Sequence, residues 1–304
     1  MKNILEVKPQ GFCGGVRKAI ETALAVREAN PEATITILGS LVHNRWIREA
    51  LEQTHIHTLE EPGKTRYELL DQVPEGIVIF TAHGVSPRVR QKAADLGLQV
   101  IDASCPFVLS TQKIVDDKRA EGYAIFYIGK NHHPEAEGVY DGRDNVYLIE
   151  SEKDIPEGIR QPILATNQTT MSAADLQDVF AAIKEAYPQA EILDELCSAT
   201  RVRQQAVADL EGQDIDLLLV VGDPHSNNTR QLENTGKKAG IPHTLRIESA
   251  EDLPDWVFDM ERIAVTSGAS TPAALRDRVL EVLNDPQTER AVPLEELLQT
   301  KRKS

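Results

Sequence analysis

Cysteine is scarce in this chain of 304 residues, which contains only Cys13, Cys105 and Cys197. These residues are too far apart to form a Cys-x-x-Cys pair, and this absence argues against a local zinc ribbon. An odd number of cysteines argues against a disulfide framework, so we expect free thiols with a metal-binding or catalytic role in a reducing compartment. The first residues lack the apolar core of a signal peptide, and no run approaches the ~20 apolar residues of a membrane span. The sequence therefore predicts a cytoplasmic protein that does not enter a membrane.

Basic residues are also few: 33 lysines and arginines stand against 48 aspartates and glutamates, which gives a net charge of −15. A nucleic-acid-binding protein needs a basic surface to neutralise phosphates, so the sequence argues against this class. An anionic small molecule would have to be bound by a local group of histidines, hydroxyls and amide N–H groups, because the overall field opposes it. Flexible linkers and low-complexity segments are absent as well, and we expect compactly packed units.

The three cysteines are evenly spaced, with 92 positions from each to the next. Apolar residues at helical spacing follow each of them, so each cysteine is predicted to lie where a loop becomes a helix. The positive end of a helix favours the thiolate, which is the form that binds metals. Three histidines, His43, His133 and His225, follow the cysteines after 30, 28 and 28 positions. Buried single cysteines are common by chance, but the joint recurrence of these features favours a repeated structural unit.

Strands alternate with helices along the chain, which indicates layers of parallel α/β structure. We expect three similar α/β units around a pseudo-threefold axis, each of which brings one cysteine and two polar loops to a shared centre. In the helix after Cys197, the apolar residues at helical spacing are Val202, Ala206 and Leu210. Strands are predicted at residues 3–7, 34–38, 77–80, 99–101, 124–128, 146–149, 162–165, 217–221 and 263–266.

Three thiolates that meet at one point could bind an iron–sulfur cluster or a zinc ion. Structural sites of both kinds normally have four protein ligands. Three cysteines from three units would leave one position open for a histidine, a solvent molecule or a substrate, which is typical of a catalytic site. The residues by themselves do not choose between iron and zinc.

Polar side chains gather at the carboxyl ends of the predicted strands and at the amino ends of the helices that follow. Open α/β sheets bind ligands there and helix N-termini favour anions, so we expect a phosphate site. The remaining histidines are assigned surface or structural roles; they are His55, His57, His132, His225 and His243. The candidate phosphate-binding residues are His43, His83, His133, Ser226, Asn228 and Ser270.

Glu135 follows His133 by two positions and places a carboxyl group beside this expected anion site. Burial and neighbouring negative charge would raise its pKa and make it a proton donor. The alternative is a first-turn glutamate that complements the helix dipole. Thr169 is either part of a proton relay or a turn hydroxyl bonded to its own backbone.

Several short motifs, taken in order and spacing, carry a resemblance to a known family. They are GFCGGV at Gly11–Val16, LVHN at Leu41–Asn44, TAHGVS at Thr81–Ser86, DASCP at Asp102–Pro106, HPEAEG at His133–Gly138, QTTMS at Gln168–Ser172, CSAT at Cys197–Thr200, SNNT at Ser226–Thr229 and SGASTP at Ser267–Pro272. On these motifs the chain closely resembles the 4-hydroxy-3-methylbut-2-enyl diphosphate reductase family over roughly residues 1–282. Enzymes of that family catalyse the last step of the non-mevalonate isoprenoid pathway.

The resemblance implies a trefoil of three α/β domains around a central [4Fe–4S] cluster, with the first strand packed in the third domain. We therefore expect domains at residues 14–103, 104–194 and 195–284, the last completed by residues 1–13, and a C-terminal tail at residues 285–304. Cys13, Cys105 and Cys197 would hold three irons and leave the fourth for the hydroxyl oxygen of the substrate. The implied reaction is a two-electron reductive dehydration to isopentenyl diphosphate and dimethylallyl diphosphate. Ferredoxin or flavodoxin would supply the electrons.

The same resemblance implies roles at individual positions. Glu135 would supply protons, Thr169 would lie near the substrate hydroxyl, and His133 would complete the catalytic group. Asn227 occupies a position at which some members of the family have serine. The diphosphate would be bound by His43, His83, His133, Thr169, Ser226, Asn227, Asn228 and Ser270.

Two further interpretations account for the bare cysteine pattern. Quinolinate synthase-like and diphthamide-type proteins also bring three cysteines from three domains to one cluster, but the HPE and QTT motifs argue against them. A zinc-dependent or metal-free phosphate-binding protein without redox activity is the alternative that is not a reductase. It predicts bound zinc or no metal, and diphosphate affinity that does not depend on a reductant.

Overall fold

The computed structural model describes residues 3–300, and over these residues the chain alternates between parallel strands and helices. The strands are β1 (Asn3–Glu6), β2 (Ile35–Leu38), β3 (His57–Leu59), β4 (Ile77–Phe80), β5 (Gln99–Asp102), β6 (Ala124–Ile128), β7 (Val146–Ile149), β8 (Ile163–Asn167), β9 (Glu191–Ile192), β10 (Leu217–Val221), β11 (His243–Ile247) and β12 (Arg262–Ser267). The helices are α1 (Gly14–Ala29), α2 (Arg45–Gln53), α3 (Arg66–Leu69), α4 (Pro87–Asp95), α5 (Pro106–Ala120), α6 (Pro134–Tyr140), α7 (Ala173–Ala186), α8 (Ser198–Ala208), α9 (Asn227–Lys238), α10 (Ala273–Asn284) and α11 (Leu294–Leu297).

Backbone contacts divide the described chain into two compact units. The chain-terminal unit comprises residues 3–20, 42–54 and 198–300, and the mid-chain unit comprises residues 21–41 and 55–197. Each unit is built on parallel sheets whose central strands are continuous apolar runs. Such runs are typical of strands that are covered by helices on both faces.

The chain-terminal unit contains one sheet with the strand order β1-β12-β10-β11. The first strand joins this sheet by pairing in parallel with β12, in the register that places Asn3 beside Arg262. Leu218 and Val220 of the central strand are fully buried in its core. In the tail, α11 packs against α2 and α10, and its Leu297 is fully buried. The part of the predicted tail at residues 294–297 is therefore a packed helix, and residues 301–304 lie outside the described residues.

The mid-chain unit contains two sheets, with the orders β3-β2-β4-β5 and β7-β6-β8-β9. Phe80 of β4 and Phe126 of β6 are fully buried in separate cores, one for each sheet. Ser86 caps α4 by accepting a hydrogen bond from the N–H of Val89, and a proline opens the helix. These elements place polar loops at the carboxyl ends of buried strands.

The three sheets share one plan, which confirms the prediction of three similar parallel α/β units. In each sheet, two central strands are flanked by a short strand that lies between them in sequence, and by a fourth strand that leads into a cysteine. That fourth strand is β5 before Cys105, β9 before Cys197 and β1 before Cys13. The first strand thus completes the third sheet, as the family resemblance implies. Each domain range expected from the sequence contains the strands of one sheet, and we retain those boundaries as a proposal.

The structure differs from the sequence-based expectation at three strands, β3, β9 and β11, which the apolar pattern did not predict. All three lie at sheet edges and are largely exposed or half-buried, so they lack the apolar run that marks a central strand. Of the apolar residues at helical spacing after Cys197, Leu210 is buried and Ala206 packs against the same core, but Val202 does not. Val202 is 47% exposed, whereas Arg203 is buried and donates to the carbonyl oxygens of Gly11 and Ala199. A polar contact with the Gly11 loop replaces the expected apolar one.

Within residues 3–300, no helix is both long enough and apolar enough to cross a membrane.

Candidate active site

The three cysteines are held in the same way. In each case the backbone N–H of the cysteine donates a hydrogen bond to a carbonyl oxygen in the loop that follows a central strand. For Cys13 the strand is β12 and the loop has the sequence GAS. For Cys105 they are β4 and AHG, and for Cys197 they are β8 and QTT. The three bonds join Cys13 to Ala269 (3.0 Å), Cys105 to Ala82 (3.0 Å) and Cys197 to Thr169 (3.1 Å). The repeat predicted from sequence spacing therefore extends to a repeated hydrogen bond.

Cys13, Cys105 and Cys197 form no disulfide with one another, and each is of intermediate burial. Cys105 caps α5, while Cys13 and Cys197 immediately precede α1 and α8. A partly exposed thiol at a helix N-terminus is a suitable metal ligand. Cys13 belongs to the chain-terminal unit, and Cys105 and Cys197 belong to the mid-chain unit. Within either unit, across the part of the chain that the structure describes, no three His, Cys, Asp or Glu side chains form a group that could hold a metal ion.

In the mid-chain unit, Glu135 and Thr169 form a buried pair. Glu135 lies in the first turn of α6 and is 2% exposed. Its Oε1 accepts a hydrogen bond from the backbone N–H of Thr169 at 2.6 Å, and its Oε2 lies 3.1 Å from the Thr169 hydroxyl. Burial raises the pKa of Glu135 to about 7, and the two hydrogen bonds from Thr169 offset only part of this effect. A carboxyl group with this pKa exchanges protons readily near neutral pH.

His133 and His83 lie together beside this pair. His133 caps α6, and its Nδ1 accepts a hydrogen bond from the backbone N–H of Glu135 at 3.2 Å. In the neutral ring the proton therefore resides on Nε2, which becomes a hydrogen-bond donor. The ring of His83 meets that of His133 edge to face, with 5.7 Å between the centroids. The Nδ1 of His83 lies 3.4 Å from the hydroxyl of Thr81.

Helix α6, which carries Glu135, is anchored to neighbouring elements through two acidic residues. Glu137 accepts a hydrogen bond from the backbone N–H of Arg66 at 3.0 Å, and its other oxygen lies 3.6 Å from the Arg66 guanidinium. Both residues are buried. Burial raises the pKa of Glu137, while the positive charge of Arg66 acts in the opposite direction. At the other end of the helix, Asp141 accepts a hydrogen bond from the hydroxyl of Ser86 at 2.7 Å. The sequence analysis missed Arg66 and Glu137, although Glu137 lies within the HPEAEG motif.

Two glycines near the site accommodate Gln112, which lies on α5, the helix that begins after Cys105. A Cβ atom at Gly84 would lie 2.9 Å from the Nε2 of Gln112, and one at Gly138 would lie 2.7 Å from it. Gly84 also has a φ of +73°, which other residues rarely adopt. The positive φ explains why glycine follows His83, whereas a side chain at Gly138 would require the end of the Gln112 side chain to move.

In the chain-terminal unit, hydrogen bonds connect the predicted polar residues. The Oδ1 of Asn228 accepts from the N–H of Ala269 at 2.9 Å, and the same Ala269 supports Cys13 through its carbonyl group. The hydroxyl of Ser270 donates to the carbonyl oxygen of His43 at 2.9 Å. Ser226 caps α9.

Asn227 begins α9, and its Oδ1 accepts a hydrogen bond from Arg230 at 2.7 Å. The candidate residues that lie in the chain-terminal unit are therefore His43, Ser226, Asn227, Asn228 and Ser270. The three histidines assigned to the site are half-buried, whereas the five assigned surface roles are exposed, as expected. The half-buried histidines are His43, His83 and His133.

Comparison with known proteins decides the family. A family model described as LytB protein matches residues 4–284. The chain belongs to the LytB family. LytB relatives in Bacillus pumilus and Bacillus licheniformis are 43% and 41% identical to it, and each alignment covers 97% of this chain and 98% of the relative. Both relatives are named 4-hydroxy-3-methylbut-2-enyl diphosphate reductase.

Solved structures of LytB-type reductases have the same fold. The structure of E-1-hydroxy-2-methyl-but-2-enyl-4-diphosphate reductase from Plasmodium falciparum is 29% identical and has a TM-score of 0.87, with 94% of this chain and 89% of that chain covered. A second structure, of (E)-4-hydroxy-3-methyl-but-2-enyl diphosphate reductase, is 27% identical and has a TM-score of 0.64, with 94% of this chain and 100% of that chain covered. The fold and the family predicted from the motifs are therefore confirmed.

Proposed function

We propose that this LytB-family protein reduces 4-hydroxy-3-methylbut-2-enyl diphosphate to isopentenyl diphosphate and dimethylallyl diphosphate. The observation that carries the proposal is the repeated hydrogen bond from the backbone N–H of each cysteine to a polar loop at the carboxyl end of a buried strand. The names of the relatives support the substrate and the reaction class.

Cys13, Cys105 and Cys197 would hold a [4Fe–4S] cluster. The donor set fits such a group, because three partly exposed thiols without a disulfide are the soft ligands that iron–sulfur clusters take. Three cysteines leave one iron without a protein ligand. When bound, the cluster supplies electrons and a Lewis acid for the substrate hydroxyl.

The overall reaction consumes two electrons and two protons. The allylic C–O bond breaks, one proton leaves with the hydroxyl as water, and the second proton forms a new C–H bond. Glu135 would supply protons from Oε2, because Oε1 is occupied by the backbone N–H of Thr169. The hydroxyl of Thr169, 3.1 Å from Oε2, can accept this proton while its own hydrogen turns toward the substrate. The pKa of Glu135, about 7, supports its role as a proton donor over the alternative of a permanently charged glutamate that complements the helix dipole.

The diphosphate would be bound by histidines, hydroxyls and side-chain amides. His133 offers its Nε2–H because its Nδ1 is already an acceptor. His83, in edge-to-face contact with His133, and His43 would add further donors. Hydroxyls and amides near the N-terminus of α9 complete the proposed diphosphate ligands. Such a local group is needed because the net charge of the chain, −15, disfavours the binding of anions elsewhere. The hydroxyl and amide residues are Ser226, Asn227, Asn228 and Ser270.

Electrons would come from a ferredoxin or flavodoxin, and the protein would work in the cytoplasm. The odd number of cysteines supports a reducing compartment.

Anaerobic purification followed by iron and sulfide assay and electron paramagnetic resonance tests this function. We expect about four irons per chain, as for a [4Fe–4S] cluster, and a spectrum that changes when the diphosphate substrate is added. The matched variants Cys13→Ser, Cys105→Ser and Cys197→Ser should each lose iron. Bound zinc, or no metal in protein handled without oxygen, would refute the reductase and favour a phosphate-binding protein without redox activity.

A further inference from the structure

One face of the sheet β7-β6-β8-β9 carries two hydroxyl groups that the proposed reaction does not use. Tyr127 of β6 and Thr166 of β8 are neighbours in the parallel register, and both are 0% exposed. Two residues earlier on each strand, Ile125 and Leu164 pack in one core cluster with Ala136 of α6. Because side chains alternate along a strand, Tyr127 and Thr166 point toward the same face, which α6 covers.

Neither hydroxyl has a hydrogen-bond partner among the described residues. Buried polar groups nearly always have one, and an unpartnered hydroxyl costs free energy. A valine or leucine would fill these positions without that cost. The two hydroxyls therefore call for a partner near the carboxyl end of the sheet.

The charged neighbour on this face is Glu135, in the first turn of α6. Burial, with the negative charge of Glu135 as a second cause, raises the pKa of Tyr127 well above its ordinary value, so the phenol keeps its proton. The loop after β8 contributes the neutral Thr169. On α5 the buried polar residues are Thr111 and Gln112, both neutral.

Other ionisable groups near this face have partners of their own. Glu195 accepts from the hydroxyl of Thr111 at 3.1 Å. On α6 itself, Glu137 faces Arg66. His133 accepts from the backbone N–H of Glu135 through its ring. Among these acidic side chains, Glu135 is the one whose charge acts on the phenol of Tyr127, which makes its carboxyl group the candidate acceptor.

Glu135 can accept a further hydrogen bond. An ionised carboxylate has about four acceptor positions, and Thr169 fills one on each oxygen of Glu135. We propose that Tyr127 is a positioning residue for Glu135: its hydroxyl, together with that of Thr166, donates to the ionised carboxylate through one buried water. The carboxylate formed after proton transfer is then stabilised by these hydroxyl groups.

The consequence for the reaction rests on the proposed function, but the contact itself does not. A donor that binds the ionised form favours ionisation. Tyr127→Phe should therefore raise the pKa of Glu135 above its present value of about 7. In a reductase that takes a proton from Glu135, the alkaline limb of the rate profile would move to higher pH.

Infrared titration of the purified holoenzyme tests the proposal without turnover. The stretching band of the protonated carboxyl group is assigned to Glu135 by its loss in Glu135→Gln, and its midpoint is followed with pH. We expect Tyr127→Phe to move the midpoint upward by about one pH unit, a tenfold change in proton affinity. Thr166→Val should move it in the same direction by less. Tyr147→Phe is the matched control, because Tyr147 packs edge to face on Phe126 at the opposite face of the same sheet.

An unchanged midpoint in Tyr127→Phe, together with a higher melting temperature, would overturn the proposal and identify the hydroxyl as a packing defect. A downward shift would overturn it as well, because the phenol would then favour the protonated acid. Failure of the proposed reduction would appear separately, as loss of turnover or of iron, and would leave these infrared midpoints unaffected.

Discussion

Replacing Glu135 by glutamine should change how the stability of the protein depends on pH. The glutamine keeps an oxygen that accepts from the N–H of Thr169, and its amide group can donate to the Thr169 hydroxyl, so the local geometry is retained. What disappears is a group that takes up a proton on folding. Glu135 has a pKa of about 7 in the folded protein and an ordinary value of 4.5.

The sign and size of this pH dependence follow from the linkage between proton binding and folding. Because the folded pKa of Glu135 is raised, its favourable contribution to the free energy of unfolding is fully present below pH 4.5 and is lost as the pH rises through about 7. At ~1.36 kcal/mol per pKa unit, the wild type should lose about 2.5 kcal/mol between pH 5 and pH 8 through this group alone. The glutamine variant lacks this term.

Denaturant unfolding of both proteins at several pH values between 5 and 8 measures the effect. The difference in unfolding free energy, variant minus wild type, should rise by about 2.5 kcal/mol across this range. Other titrating groups cancel in the difference because both proteins contain them. Glu121→Gln, at an exposed carboxyl group, is the matched control and should give a flat difference. A flat difference for the Glu135 variant too would show that this carboxyl is not held in its neutral form, and the argument for its role as an acid would fail.

Two further predictions concern residues that contact α6, the helix of Glu135. Thr169→Val removes the hydroxyl but keeps the backbone N–H. In steady-state assays, turnover should fall by about 10²-fold, in the usual range for a lost proton-transfer group, while the Michaelis constant changes little. An equal fall in turnover in Thr170→Val would contradict the relay. Arg66→Met should destabilise the protein by about 3–5 kcal/mol, because it leaves the buried charge of Glu137 without a partner. The double variant with Glu137→Leu should recover most of this loss in denaturant unfolding, and failure to recover it would show that the pair does not act as a unit.

Local signals made much of the fold and site predictable. Glycine, proline and capping residues mark the ends of elements, and the central strands are apolar runs. For these reasons the motifs around Cys105 and Glu135 could be assigned to strand-end loops and helix starts before the structure was known. The equal spacing of the cysteines revealed the repeat, because each unit has nearly the same length.

Features that depend on distant partners were not predictable. The pairing of Arg66 with Glu137 joins residues 71 positions apart, and nothing near Arg66 in the sequence indicates it. Val202 lies at a position of α8 that helical periodicity marks as buried, yet the adjacent Arg203 turns inward because the carbonyl oxygen of Gly11 accepts its hydrogen bond. The juxtaposition of Tyr127 and Thr166 depends on strand register, which a single sequence does not specify.

The pairing of β1 with β12 has a consequence for the order of assembly during synthesis. These strands are about 260 positions apart, whereas the strands of the other two sheets lie close together in the chain. At ~5–20 residues per second, a ribosome would need roughly 10–50 s between making β1 and making its partner. During that interval the loop of Cys13 lacks the carbonyl group of Ala269 that holds it. Cys105 and Cys197 can reach their native surroundings while translation continues, so Cys13 is the last thiol to be positioned, and the complete set of three exists only when the chain is nearly finished.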